Sequence, residues 1–268
     1  MEYKTIGQLY DLSGQVAIIT GGAVGIGQAI ALRLAEARAA VMVADNNMEA
    51  AIKTADDIKV KGGQASAVHA DVSNKSDAEN AILSTIKAFG RLNILVNNAG
   101  IYPMTPATDI SESEWNRVMD INLKGTFFCS QAAAREIIKA GRGGKMINIA
   151  SRGGIYPRNH MAHYAASKAG VGMLTKSLAL EFAPHKITVN AVAPAVVITP
   201  GTRAQVAAVM SGDKSGSSNK KVDPMARIPI GRFGEPDDIA KVVLFLASSA
   251  SDYMTGSLIM VDGGYQLT

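Results

Sequence analysis

Short apolar runs rich in Val, Ile and Ala alternate with longer stretches of helical periodicity along the chain. A short apolar run bounded by turn residues predicts a buried strand, and apolar residues every three or four positions predict a helix. Strands that alternate with helices indicate parallel pairing, because a parallel connection must cross from one end of the sheet to the other. We therefore expect an α/β fold, with one doubly wound domain over residues 1–268. The predicted strands lie at 16–20, 40–44, 65–70, 92–96, 145–150, 187–192 and 258–261.

Four glycines lie between the first predicted strand and the helical pattern that follows it. Glycine lets the backbone approach a pyrophosphate, and the start of a helix offers free N–H groups and the positive end of its dipole. A glycine turn between a strand and a helix therefore predicts a dinucleotide site. Its expected contacts are Gly21, Val24, Gly25, Ile26 and Gly27.

The second predicted strand ends on an acid, Asp45, which Asn46 follows. A carboxylate there accepts hydrogen bonds from the ribose hydroxyls of NAD and repels the 2′-phosphate of NADP. Val24 and Asn46 hold the places where an Arg or Lys would favour NADP. We therefore predict NAD as the cofactor, and the alternative is that Asp45 is a loop or cap residue before the next helix.

Two more strand ends carry candidate cofactor contacts. Asp71 and Val72 follow the third strand, where Asp71 could reach an adenine edge or cap the next helix. Asn98 follows the fourth strand and can pin neighbouring backbone, while the small Ala99 and Gly100 leave room for a cofactor.

Tyr164 and Lys168 are four residues apart in a predicted helix, so their side chains share one face. A free tyrosine has a pKa of about 10, and an ammonium one turn away lowers it. Ser151 stands at the end of the fifth strand, where open α/β sheets keep their sites. The three residues are therefore a candidate acid/base centre, although Tyr–Lys pairs at this spacing also occur on solvated helix faces.

A long helical pattern over 111–139 contains Asn122 between two apolar residues. Ser111 and Glu114 predict a capping box at its start. A buried Asn needs a hydrogen-bond partner. Two interpretations stay open for Asn122: a bond to a neighbouring loop, or a local disturbance of the helix that holds a water for a proton relay.

Composition narrows the class of protein. Hydrophobic residues make up 47% and charged residues 19% of the chain, and the formal net charge is +4. The basic residues are scattered, so we expect no nucleic-acid partner. The single cysteine excludes an intrachain disulfide, the first residues lack the apolar run of a signal peptide, and no segment reaches a membrane span. We expect a cytoplasmic protein with no membrane partner and no metal site.

Residues 200–235 differ from the rest, and 211–221 are polar without periodicity. We expect a substrate lid around 200–235, or else a surface loop with no role. Arg152 and Arg158 could meet an anionic group, but such arginines are more often solvated or paired. His163 precedes Tyr164, yet helix geometry turns neighbouring side chains to different faces, so we expect it to be structural.

Together these motifs resemble the short-chain dehydrogenase/reductase family, in family order and over nearly the whole chain. The resemblance implies a seven-stranded Rossmann-type sheet with helices on both faces. It also implies an NAD-dependent oxidoreductase that interconverts a secondary alcohol (a sugar, polyol or small hydroxy compound) and its ketone, and a homotetramer. The matches are Thr20-Gly-x3-Gly25-x-Gly27, Asp71, Asn97-Asn-Ala-Gly100, Asn122, Ser151, Tyr164-x3-Lys168 and 194–199.

The resemblance implies a role for each matched residue. Tyr164 would exchange a proton with the substrate oxygen, and Lys168 would lower its pKa and hold the nicotinamide ribose. Ser151 would orient the substrate, and Asn122 would hold a water that links Lys168 to solvent. Asp71 and Val72 would lie by the adenine and 98–100 by the ribose. The implied contacts at the nicotinamide end are Pro194, Ala195, Val197 and Thr199, with Ala195 where the family usually has Gly.

Two other functions compete with this interpretation. One is a 3-oxoacyl-carrier reductase, which usually goes with NADPH, so Asp45 weighs against it. The other is an NAD-binding sensor without chemistry, against which the complete set of Asn122, Ser151, Tyr164 and Lys168 argues.

Overall fold

A seven-stranded parallel sheet forms the centre of the computed structural model, which describes residues 3–203, 207 and 227–268. The strand order is β3-β2-β1-β4-β5-β6-β7, so the chain reverses direction across the sheet between β3 and β4. This reversal opens a crevice at the carboxyl ends of β1 and β4. The predicted Rossmann-type fold is confirmed. The strands are β1 Val16–Thr20, β2 Ala40–Asp45, β3 Ala65–His69, β4 Ile94–Asn97, β5 Gly144–Ile149, β6 Ile187–Pro194 and β7 Leu258–Val261.

Helices cover both faces of the sheet. They are α1 Ile6–Tyr10, α2 Gly25–Glu36, α3 Met48–Val60, α4 Lys75–Phe89, α5 Glu112–Met119, α6 Gly125–Ala140, α7 Ala162–Phe182 and α8 Pro236–Ala247. One core cluster lies under α2, α3 and α8, and a second lies under α4, α6 and α7. Neighbouring strand residues alternate between them, with Ile19 in the first cluster and Ile18 in the second. None of the helices in the described ranges has the length and apolar character to span a membrane.

The predicted helix over 111–139 is interrupted. A π-helical turn at Asp120–Lys124 separates α5 from α6. The Ser111 hydroxyl accepts a hydrogen bond from the Glu114 N–H at 3.2 Å, as a cap should. The predicted capping box is only half formed, because the Glu114 carboxylate instead contacts the ring of His163 at 2.9 Å.

The predicted lid at 200–235 lies mostly outside the described residues. Of that stretch, the structure describes 200–203, 207 and 227–235. The hydroxyl of Thr202 accepts a hydrogen bond from the Thr199 N–H and donates one to the Val197 carbonyl, so the start of the stretch is a compact turn.

A chain of buried polar side chains joins the sheet to α6 and α7. The Asn97 amide donates to Ser130 on α6 at 2.9 Å and to the Asn148 side-chain oxygen at 2.8 Å. The Asn148 amide in turn donates to the Thr175 hydroxyl on α7 at 2.9 Å. All four residues are buried, so each bond replaces one to water that burial removed. This chain fixes the two helices against the ends of β4 and β5.

Replacing Asn148 tests the contribution of this chain. Asn148→Ala removes two buried hydrogen bonds and leaves a cavity, so we expect the free energy of unfolding to fall by about 2–4 kcal/mol. Thr188→Val is the matched control, because the Thr188 hydroxyl is buried on β6 without a partner in the described structure. Its variant should be as stable as the wild type or more so. Urea unfolding of the three proteins measures both, and an unchanged midpoint for Asn148→Ala would contradict the assignment.

Candidate active site

The glycine turn after β1 lies against the end of β4. Gly21 has a φ of +59°, and a Cβ there would come within 2.8 Å of the Ala99 Cα. A Cβ on Gly27 would collide with the Gly21 carbonyl oxygen, so the first turn of α2 packs directly on the loop. Both positions therefore require glycine for close packing, and Gly21 also for its left-handed backbone.

Asn98 and Thr20 tie the two strand ends together. The Asn98 amide donates to the carbonyls of Thr20 and Gly21 at 3.0 and 2.8 Å. The Thr20 hydroxyl accepts from the N–H groups of Asn98 and Ala99 at 3.1 and 3.2 Å. These bonds to neighbouring backbone are the ones predicted for Asn98, whereas no such role was predicted for Thr20. The signal for it was a hydroxyl residue ending an otherwise apolar strand.

The N terminus of α2 opens toward the same crevice. Val24 occupies the N-cap position with no side-chain hydrogen bond to the helix, and its side chain is exposed. Since Gly25 and Ile26 follow, no side chain in the turn caps the first N–H groups of the helix. Such a helix end fits an anionic group, so the turn suits the pyrophosphate of a dinucleotide.

Asp45 lies beside this turn. Its carboxylate accepts one hydrogen bond from the Ala23 N–H at 3.0 Å and another from the Asn47 N–H at 2.9 Å. Asn47, not Asp45, caps α3. The cap interpretation of Asp45 is therefore wrong. Its hydrogen bonds instead join the end of β2, next to Asn46, to the glycine turn.

Asp71 and Val72 follow β3 on the adjacent side of the crevice. Asp71 is exposed and accepts hydrogen bonds from the backbone and hydroxyl of Ser73 at 3.0 and 2.7 Å. The residue that caps α4 is Asn74, so the cap interpretation of Asp71 is also wrong. The Val72 side chain is buried against Gly125, which leaves its backbone for any ligand contact.

Tyr164 and Ser151 meet in front of β5. A Cβ on Gly153 would lie 3.3 Å from both the Ser151 hydroxyl and the Tyr164 ring, so both groups lie against this glycine. Burial raises the pKa of Tyr164, the nearby Ser151 hydroxyl opposes that rise, and Tyr102 adds to it. The rings of Tyr102 and Tyr164 pack edge to face with centroids 6.5 Å apart. The phenol therefore holds its proton at neutral pH in this structure.

Lys168 is almost completely buried behind Tyr164. Its ammonium donates a hydrogen bond to the Ile149 carbonyl at 2.8 Å and lies near Gly100. Burial lowers the pKa of Lys168 to about 8. In this structure the pKa of Tyr164 is raised and not lowered, because burial of the phenol outweighs the influences that lower that pKa. The lowering expected from Lys168 therefore does not prevail here, and its effect with substrate and cofactor bound stays a prediction.

Asn122 sits in the π-helical turn and is fully buried. Its side chain accepts a hydrogen bond from the Ile101 N–H at 2.8 Å and donates to the Ile101 carbonyl at 2.9 Å. It also donates to Ser167 on α7 at 3.1 Å. The predicted bond to a loop and the predicted disturbance of the helix are therefore both present, and they hold the loop after β4 against α7.

The segment after β6 closes the other side of the crevice. A Cβ on Gly25 would lie 3.4 Å from the Thr199 side chain, so this segment reaches the glycine turn. Within this segment Val197 is buried. The N–H of Ala195, which follows Pro194, donates a hydrogen bond to the Val261 carbonyl of β7 at 3.3 Å. Ala195 has a negative φ, so alanine in place of the usual glycine brings no backbone strain.

Comparison with known proteins identifies the family. A family profile described as enoyl-(acyl carrier protein) reductase matches residues 21–266. The chain is 40% identical over 260 residues to 2-dehydro-3-deoxy-D-gluconate 5-dehydrogenase of Dickeya dadantii, covering 96% of this chain and 97% of that protein. A short-chain type dehydrogenase/reductase structure from Mycobacterium marinum superposes with a TM-score of 0.90 at 37% identity, over 98% of this chain and 100% of the other. The chain belongs to the short-chain dehydrogenase/reductase family.

A further solved structure bears on the cofactor. It comes from Agrobacterium tumefaciens, is described as a 2-deoxy-d-gluconate 3-dehydrogenase with bound NADP, and matches with a TM-score of 0.87 and 39% identity, over 97% of this chain and 99% of the other. The glycine turn and the open helix end of this chain fit the pyrophosphate that such a cofactor carries. As a short-chain dehydrogenase/reductase, the protein is an oxidoreductase with NAD(P) as its cofactor.

His163, which precedes Tyr164 in this short-chain dehydrogenase/reductase, points away from the crevice. Its ring is fully buried and contacts the Glu114 carboxylate, so it joins α5 to α7. This contact agrees with the expected structural role. Sequence analysis missed Asn148 altogether, although a polar residue within the apolar fifth strand was the available signal.

The buried Lys168 gives the protein a specific pH dependence of stability. Its pKa is about 8 when folded, against an ordinary value of 10.5. Between these values the unfolded chain binds more protons, so rising pH favours the folded state. The stability of the wild type relative to Lys168→Met should therefore rise by up to roughly 3 kcal/mol from pH 8 to pH 10.5, and be lowest below pH 8. Urea unfolding at several pH values measures the difference.

Lys176→Met is the control, because it removes an exposed ammonium from the same helix. Its difference from the wild type should vary little over the same pH range. A Lys168→Met difference as flat as that of the control would show that burial does not perturb Lys168.

Proposed function

We propose that this short-chain dehydrogenase/reductase uses NAD to interconvert a secondary alcohol and its ketone, with Tyr164 as general acid/base and a sugar acid, polyol or small hydroxy compound as substrate. The observation that carries the proposal is the arrangement of the Ser151 hydroxyl beside the Tyr164 phenol, with the ammonium of Lys168, one helical turn further on, buried against the Ile149 carbonyl. A sugar-acid substrate is supported by the relatives, which act on deoxygluconate compounds by name.

The chain's own groups position a substrate and move its proton. A ketone oxygen between Ser151 and Tyr164 would accept a hydrogen bond from each hydroxyl, which stabilises the negative charge that develops there. The raised pKa of Tyr164 keeps its proton available for that oxygen in the reductive direction. Bound NAD or NADH supplies the hydride chemistry. With a pKa of about 8, Lys168 is mostly protonated at neutral pH, so its charge favours the phenolate that forms when Tyr164 donates.

The preference for NAD is supported by Asp45. Its carboxylate lies beside the glycine turn, where a ribose 2′-hydroxyl could donate to it and a 2′-phosphate would be repelled. The described turn offers no Arg or Lys to neutralise a phosphate, since Val24 and Asn46 hold those places. The NADP bound in the Agrobacterium structure is evidence about the cofactor of that relative, and the preference of this chain is argued from its own Asp45. Asp45 equally weighs against an NADPH-linked 3-oxoacyl reductase.

We infer that the protein assembles as a homotetramer through its long helices. Phe127 on α6 and both Met173 and Leu180 on α7 are exposed apolar side chains, with Leu180 82% exposed. Apolar side chains at these places are covered when two copies of the helices pack together. We also propose that residues 1–268 form a single catalytic domain with a substrate lid around 200–235, and that the protein is cytoplasmic.

Removing the phenol hydroxyl tests the acid/base assignment. Tyr164→Phe keeps the ring but cannot transfer a proton, so we expect kcat to fall by between about 10² and 10⁴. Binding of NADH, followed by its fluorescence, should change little. Tyr253→Phe is the control, because Tyr253 is fully exposed. Turnover by Tyr164→Phe within tenfold of the wild type would overturn the assignment.

Neutralising Asp45 tests the cofactor preference. Asp45→Asn keeps one acceptor oxygen but removes the charge, so we expect the ratio of kcat/KM for NAD over NADP to fall about tenfold or more. Asp56→Asn, an equal change of charge at an exposed position of α3, should leave the ratio unchanged. Asp45 does not set a preference for NAD if the wild type prefers NADP, or if both variants keep the wild-type ratio of kcat/KM.

A further inference from the structure

Arg152 directly follows Ser151 and lies between two tyrosines. The central carbon of its guanidinium is 4.1 Å from the ring centroid of Tyr265 and 5.1 Å from that of Tyr156. Stacking on aromatic rings is favourable for a guanidinium and restricts its movement. Tyr265 near the chain end and Tyr156 after β5 therefore hold the charge of Arg152 in place.

Tyr265 is itself fixed against the substrate side of the crevice. The Asp262 carboxylate accepts hydrogen bonds from the N–H groups of Gly264 and Gln266 at 3.0 and 2.8 Å, which folds the chain end into a turn. Tyr265 packs on a small apolar cluster that contains Phe233 and Val196. Since Val196 belongs to the segment after β6, this cluster places Arg152 between that segment and Ser151.

The charge of Arg152 has no carboxylate partner within the described part of the chain. Arg33, Arg38 and Arg232 each form an ion pair with an aspartate. Arg152 forms none there, and its Nε–H is buried without an acceptor. Since this Nε–H has no exposed surface, a ligand can reach only the terminal nitrogens of the guanidinium. The residue as a whole remains partly exposed.

The charge of the guanidinium also selects the ligand. A guanidinium offers its N–H groups in its own plane. A carboxylate is planar and accepts two parallel hydrogen bonds in that plane. An uncharged hydroxyl could not balance the charge. The terminal nitrogens of Arg152 therefore match one carboxylate group.

We propose that Arg152, held between Tyr156 and Tyr265, binds the carboxylate of the substrate while Ser151 and Tyr164 bind the reacting oxygen. The proposal rests on the proposed function and names the part of the site that selects acids over neutral polyols. The proposal assigns the contact with an anionic group to Arg152 and not to Arg158, whose side chain is exposed.

Matched substrates test this selectivity. Six-carbon aldonates (gluconate, galactonate and mannonate) and the alditols of the same configuration are oxidised with NAD and followed by NADH absorbance. Arg152→Gln should lower kcat/KM for the aldonate that the wild type uses best by about 100-fold, mostly through KM, and change the matching alditol by less than threefold. Arg152→Lys should recover part of the loss, because it restores a charge without the planar pair of donors. Arg158→Gln, the control for net charge, should behave as the wild type, and thermal unfolding verifies that each variant folds.

Direct binding keeps this test independent of turnover. Calorimetry with each aldonate and alditol, in the presence of NAD, should show aldonate binding that Arg152→Gln abolishes and Arg158→Gln keeps. If the wild type oxidises nothing with either coenzyme, the proposed function fails, and aldonate binding lost in Arg152→Gln would still support this subsite. Equal losses for aldonate and alditol, no loss, or turnover of a sugar phosphate in preference to the aldonates would each overturn it.

Discussion

The close contact between the glycine turn after β1 and the end of β4 is the constraint on which the site depends. The two strands are neighbours only because the sheet reverses its order there. No side chain fits at Gly21, and the Asn98 amide occupies the carbonyls of Thr20 and Gly21. The backbone of the turn is therefore fixed before any ligand binds. As a consequence, the open end of α2 faces the same crevice as the hydroxyls of Ser151 and Tyr164.

Burial, rather than attraction between neighbours, sets the charges at the reacting end. It raises the pKa of Tyr164 and lowers the pKa of Lys168 to about 8, so the two groups move apart from ordinary values that nearly coincide. At neutral pH the phenol accordingly keeps its proton and the ammonium is mostly charged. Acceptors placed near the ammonium, such as the hydroxyls of a nicotinamide ribose, would stabilise its charged form and thereby favour release of the phenol proton.

Patterns along the chain predicted a doubly wound parallel sheet and most of the candidate site, because strand ends and helix starts carry local signals. The glycines after β1 and the spacing of Tyr164 and Lys168 are of this kind. Interactions between distant segments left weaker signals. Packing that no short stretch encodes produces the hydrogen bonds from Asn97 through Asn148 to α7. It also produces the contact between Glu114 and His163 and the effect of burial on the pKa of Tyr164. For the same reason the sequence could not separate Arg152 from Arg158.

Unpaired buried groups are useful signs of function only when their charge and position are considered together. The Asn97 Oδ1, the Thr188 hydroxyl and the His163 Nδ1 are also buried without partners in the described residues, yet the first two belong to uncharged side chains and the His163 ring already contacts Glu114 through its other nitrogen. Arg152 differs because it carries a permanent charge and adjoins Ser151. A folded domain is stable by only about 5–15 kcal/mol, so an unpaired buried donor on a charged group is a sizeable penalty. A ligand carboxylate would balance the charge of Arg152 only in the bound state, so this charge is a source of selectivity for such a ligand.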